Sequence, residues 1–219
     1  MSLFGFFKKE NIENDNTTKP FYSNHSNEER KDWFSRTSPW NKVPPQVINA
    51  LIARFGDNPL FEIFVITSME QGLVNEYMNL PAPNESGNIL CTQVAHILCR
   101  KGAAASQLLG IMMQTRKLTD RKLARQYEIA FNCFETATII TKHQINAYVE
   151  LARLRALLDK NEDALRFIDQ GIEAVNELLD EETLFHLSEI ESIRNAPSHL
   201  HDAKDKMVAM RDELRRKIS

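Results

Sequence analysis

Glycine is scarce, with only seven among 219 residues. No stretch alternates apolar and polar residues with the two-residue period of a half-buried strand. Both shortages argue against a sheet protein and for an all-α one. No export signal is read at the start of the chain. The three cysteines, Cys91, Cys99 and Cys133, are an odd number in helix-like apolar contexts. Reduced, buried thiols in a cytosolic compartment are therefore expected. The N-x-[ST] triplets at Asn16, Asn24 and Asn84 then carry no weight as glycosylation sites. The apolar run Ile63 to Met69 is far too short to span a bilayer. A net charge of −3 points to no polyanionic partner. The 42% hydrophobic and 26% charged residues suit a soluble chain forming one well-buried domain, or one domain with tails.

Catalytic signatures are missing as well. There is no Gly-rich phosphate loop, H-E-x-x-H, G-x-S-x-G or C-x-x-C. His96 and Cys99 share a helix face, but Cys91 lies well round the helix from them, and two ligands do not make a zinc site. Glu70 and Glu76 are six residues apart with no further partner for acid–base work, and His199 and His201 point in different directions. The reading is a non-enzymatic chain with no catalytic residue, cofactor or metal.

What is present is helical periodicity. Leu3, Phe4, Phe6 and Phe7 form an apolar cluster followed at once by Lys8 and Lys9. This is read either as a short tether to a membrane interface or a partner's groove, or as a terminus packed on its own domain or left loose. Residues 10–31, poor in aliphatics, read as a flexible linker, so 1–31 is taken as a disordered N-terminal arm. Trp33, Phe34 and Trp40 crowd the stretch 32–45 and are expected to dock as a strap on the first helices. A helix is predicted from Gln46 to Phe55 between Pro45 and Gly56. A second, apolar nearly all round and hence buried, is predicted from Asn58-Pro59 to about Leu80. The composition of Pro81 to Gly87 reads as a loop. Helices then follow over 88–100 and 103–115, separated by Lys101-Gly102, and from an Asp120 N-cap to about Lys142. A shorter one is expected over 181–195. The last, with Leu200, Ala203, Met207, Met210 and Leu214, is read as a terminal cap in preference to a coiled-coil seam.

The organising stretch is Asn146 to Val175. Tyr148, Leu151, Ala152 and Leu158 recur at helical spacing before the polar break Asp159-Lys160-Asn161, and Ala164, Ile168, Gly171, Ile172 and Val175 recur after it. The small residues Ala152, Ala164 and Gly171 predict two closely packed antiparallel helices. Sliding this hairpin back by 34 residues places Ala164 on Ala130, Ile168 on Phe134 and Gly171 on Ala137. That small–large–small series, with Tyr148, Leu151 and Ala152 in the preceding helix, resembles the tetratricopeptide repeat (TPR) family and its 34-residue period. The resemblance covers about residues 103–176. Arg155 departs from the family's large aromatic position, the helix-terminating proline is missing, and Leu109 to Ala130 is eight residues too long. It implies antiparallel hairpins stacked as a right-handed array or bundle, acting as an adaptor or scaffold that presents a groove to a peptide or partner protein. The groove-facing residues it implies are Gln107, Ile111, Gln114, Asn146, Val149 and Arg153. Their amides would satisfy a peptide backbone, and Arg153 would fork onto a carboxylate. The plain alternative makes them solvated surface.

Charge is segregated. Residues 100–125 carry seven bases and one acid, whereas 159–191 carry eleven acids and two bases. The basic block lacks the interleaved aromatics or helix-turn-helix of a nucleic-acid binder. It is read as a solvated face or a docking patch. The expected organisation is an arm over 1–31, a helical part with its strap over 32–102, TPR-like hairpins over 103–178 and capping helices over 179–219. Two rivals to the adaptor are an inhibitor or immunity-type protein using its acidic face, and a structural subunit that self-associates or docks in a larger assembly. The expected location is the cytoplasm, free or peripheral to a membrane or complex.

Overall fold

The computed structural model describes residues 26–55, 58, 60–74, 83–114, 121–180 and 196–218. These residues are helical, with no strand among them. In chain order the helices are α1 (Asn27–Arg36), a 3-10 turn (Trp40–Lys42), α2 (Pro45–Phe55), α3 (Phe61–Glu70), α4 (Pro83–Met113), α5 (Arg121–Ile140), α6 (Ile145–Ala156), α7 (Asn161–Leu178) and α8 (Ala196–Ile218).

The linker reading of 10–31 gives way where α1 begins. Ser26 and Glu29 form a capping box: the Ser26 amide donates to Glu29 Oε2 at 2.7 Å, and the Glu29 amide donates back to Ser26 Oγ at 3.3 Å. Two orphan amides are thereby satisfied, and an S-x-x-E signature was available to find them. The boundary between 31 and 32 consequently falls inside a helix. The strap does dock: Phe34 and Trp40 are buried, their rings 4.9 Å apart at 66°, and they continue into Phe61, Phe64 and Phe55. Pro45 occupies the first turn of α2, where its missing amide costs nothing.

Two further expectations fail for opposite reasons, each involving a glycine. α3 stops at Glu70 because Gly72 takes φ 68°, a left-handed conformation open to glycine at no steric cost, with its amide on the Met69 carbonyl. Nor is α3 buried all round, since Ile66 is 46% and Met69 36% exposed. α4, by contrast, does not break at Lys101-Gly102, and it starts within the stretch read as a loop. Gly102 stays helical and buried because α5 passes close by: a Cβ there would lie 3.0 Å from the Phe134 ring. The boundary between 102 and 103 thus sits in the middle of one helix. The Asp120 cap, the helix over 181–195 and the whole cluster Leu3, Phe4, Phe6, Phe7, Lys8 and Lys9 lie outside the described residues.

The hairpin forms as expected. A Schellman motif ends α6, with Asp159 at φ 56° and the Lys160 amide reaching the Arg155 carbonyl at 3.0 Å. α7 then runs antiparallel to α6, bringing Gly171 against Tyr148, and α8 runs antiparallel to α7, with Met207 on Gly171 and Arg211 on Asp169. Ala130, Phe134, Ala137, Ala164, Ile168 and Gly171, the residues related by the 34-residue offset, are all buried. α4 and α5 form the most extensive pair, followed by α6–α7 and α7–α8. The core has two lobes. One is built on α2, α3 and the first half of α4, the other on α6, α7 and α8, and Cys99 and Ile129 pack against both.

Candidate functional site

The α4 face predicted to line a groove is exposed. Gln107 and Ile111 are one turn apart on α4, and Gln114 follows just past its end. Ile111 is 63% exposed and the adjoining Leu108 is 45% exposed, whereas Leu109 on the other side is buried. Leu108 and Leu109 face apart because consecutive helical positions diverge by about 100°. Water covers a stripe of large aliphatics between two amides.

The α6 half of the expected site differs. Asn146 and Arg153 are exposed, Val149 is half-buried against the second lobe, and Arg153 already donates to Glu150 Oε1 at 2.7 Å within its own helix. α4 and α6 each pack on α5, and neither makes its main contact with the other. Cys99 Sγ of α4 lies 3.6 Å from Gln144 Oε1, next to the start of α6. Gln107, Ile111 and Gln114 therefore form one stripe, and Asn146, Val149 and Arg153 a second on a different helix.

Arg155, the position that departs from the aromatic pattern, takes an aromatic's place by stacking. Its guanidinium lies 4.0 Å over the Phe131 ring, between Tyr127 and Asp163, with Nε 3.9 Å from the Asp163 carboxylate. A planar guanidinium fills that slot as an aromatic ring would, while keeping its charge near carboxylates. Burial pushes the Glu135 carboxyl above its usual range, against the pull of Arg155 and Arg166, and pushes the Tyr127 phenol up against Arg155. Substitution tables built on hydrophobicity miss such a residue. The signal that finds it is a long planar cation at an aromatic position.

The acidic block lines an open cleft of about 440 Å³ where the outer face of α7 meets the end of α8. Leu165 and Ile218 supply apolar surface there, and Glu162, Asp169 and Glu173 supply carboxylates. Part of the block is neutralised internally: Lys142 pairs with Glu177, and Arg166 with Asp163 at 3.4 Å. In the basic block, Lys101 pairs with Glu70 at 3.1 Å, and Arg116 and Lys117 lie outside the described residues.

The three cysteines are free thiols, with Cys91 and Cys133 buried. Burial pushes Cys133 up to about 11, with Lys101 opposing, and burial followed by the neighbouring Cys133 pushes Cys99 up to about 11. A thiol pKa raised by folding stabilises the native state fully below the unfolded value and loses that contribution as pH climbs through the folded one. The window here runs from about 9 to about 11. Cys133 accounts for about 2–3 kcal/mol of alkaline destabilisation across it. Urea titrations at pH 8 and pH 11 check this, because Cys133→Ala is expected to flatten the pH dependence by that amount. Parallel pH profiles for the two proteins would show that the thiol does not titrate against burial.

Among the described residues no group of three or more His, Cys, Asp or Glu is placed to hold a metal ion, and no helix is long and apolar enough to cross a membrane. Compared with known proteins, the chain matches no family model, no curated protein and no solved structure.

Proposed function

We propose that this chain is a non-catalytic protein–protein interaction module, a TPR-like helical scaffold of the cytoplasm that holds a peptide or partner protein without cofactor or covalent chemistry. The observation that carries this reading is the exposed α4 stripe, with Leu108 and Ile111 open to water between Gln107 and Gln114. Large aliphatics flanked by amides suit a partner that offers apolar anchors and a backbone to hydrogen-bond. Asn146 and Arg153 extend the surface on α6, where Arg153 would exchange Glu150 for a partner's carboxylate.

Panning a displayed peptide library against the full chain tests the reading, with a Leu108→Asp/Ile111→Asp variant as counter-selection. Both side chains are exposed, so the variant is expected to melt as the parent does. Enriched peptides are expected to lose at least about tenfold in affinity on the variant, or about 1.4 kcal/mol. Peptides that bind both proteins equally, or no enrichment at all, overturn the α4 site.

The cleft between α7 and α8 supports a second reading, an inhibitory module whose acidic face takes a basic enzyme. Steering between opposite charges weakens steeply with ionic strength. A one-to-one complex insensitive to salt would therefore count against it.

A further inference from the structure

The outer face of α3 carries an apolar pair set between two acids. Glu62, Ile66, Met69 and Glu70 recur at four- and three-residue steps and so share one side of the helix. Their neighbours Phe61, Phe64 and Val65 point the other way, into the core. Ile66 and Met69 are left 46% and 36% exposed, although each is large enough to gain from burial. From Asp57 to Leu90 the chain carries five acids and no base. An ion pair reaches this face from α4, through Lys101 to Glu70.

We propose that residues 3–9 of this chain dock on the outer face of α3, setting Leu3, Phe4, Phe6 and Phe7 over Ile66 and Met69 with Lys8 and Lys9 against Glu62 and Glu70. This does not rest on the partner stripe of α4. Composition supports it first: the segment is an apolar cluster followed by two cations, and the face is an apolar pair bracketed by two carboxylates. Reach supports it second. Ser26 lies about 12 Å along α1 from Phe34, the Phe34 and Phe61 rings are 5.8 Å apart, and Ile66 is about 8 Å further along α3. With about 4 Å for each Phe side chain, the path from Ser26 to Ile66 is about 34 Å, whereas the chain from Lys9 to Ser26 extends to about 55 Å. A site in the same chain also sees its ligand at about millimolar effective concentration, so a weak contact suffices. A second copy fits the face less well, because a two-fold interface through Ile66 and Met69 would set Glu62 and Glu70 against their own equivalents. Burial already holds the Glu62 carboxyl above its usual range, and an approaching lysine would oppose that.

The test uses the full chain with benzoylphenylalanine at Phe6, irradiated at low concentration and mapped by mass spectrometry. The expected product is a monomeric adduct between position 6 and the stretch Ile66 to Glu70. Its yield is expected to fall about tenfold in an Ile66→Lys/Met69→Lys background. Lys8→Glu/Lys9→Glu, which leaves the described fold untouched, should lower it as well and keeps the test valid if the α3 variant melts early. Adducts between chains would overturn the proposal in favour of self-association, and adducts confined to other helices, or none, would overturn it outright.

Discussion

Trp40→Ala is expected to lower the unfolding free energy by about 3–5 kcal/mol, out of the 5–15 kcal/mol typical of a folded domain. Trp40 sits in a single 3-10 turn between α1 and α2 and is 1% exposed. Its ring meets Phe34 edge-on at 4.9 Å and leans on Phe64 at 6.2 Å. Those rings are themselves pinned by Phe61 and Phe55, with Phe55 stacked on Phe61 at 4.5 Å. A void opened among interlocked aromatics collapses poorly, which puts the cost near the top of the large-to-small range. Trp33, only partly buried against the same lobe, should cost less when truncated. Urea unfolding followed by circular dichroism gives both numbers. A Trp40→Ala loss under about 1 kcal/mol would mean that the strap is not part of the core.

Gly171→Ala sets two effects against each other. Inside a helix the exchange ordinarily gains about 0.5–1 kcal/mol, because glycine surrenders more backbone entropy on folding. Here the new Cβ would lie 2.9 Å from Tyr148 Cβ and 2.7 Å from Met207 Sδ. Met207 can move its flexible thioether aside, but Tyr148 Cβ is fixed to the α6 backbone and has no rotamer to escape into. α6 and α7 must then separate, and overpacking of this kind costs about 1–3 kcal/mol. The clash wins, so a net destabilisation of about 1–2 kcal/mol is expected for Ala, and more for Val, which adds branching at the same point. Thermal melts of the three proteins should rank Gly above Ala above Val. A stabilised Gly171→Ala would show that the helices are not in contact at this position.

These two positions also show how far the chain could be read without its structure. Gly171 was legible because a small residue repeats at a 34-residue offset with buried neighbours, a pattern that local spacing alone displays. Trp40 was legible as something docked, because aromatics so dense have nowhere else to go. Gly72 and Gly102 were read the wrong way round. Both are single glycines in apolar, helix-forming surroundings, and nothing local separates a glycine that ends a helix from one that lets another helix pass. The first is left-handed at φ 68°, and the second stands 3.0 Å from the Phe134 ring. At the candidate site, the exposure of Gln107, Ile111 and Gln114 agreed with their helical phase. Their relation to Asn146, Val149 and Arg153 did not follow from spacing, because α4 packs mainly on α5, whereas α6 touches α5 but packs mainly on α7.

By itself, the sequence determined that the chain is all-α, where the Asp159 turn closes the α6–α7 hairpin and which small residues sit between helices. Each of these depends on interactions within a few turns of one helix, or on a repeat that carries its own copy. Tertiary structure alone decided that α4 runs unbroken past Gly102, that Arg155 lies over Phe131, and that Ile66, Met69 and Leu108 are left facing water. The physical reason is common to all three. Whether a glycine bends, a cation stacks or an aliphatic is buried depends on what another helix brings to within about 4 Å, and that partner is distant in the chain.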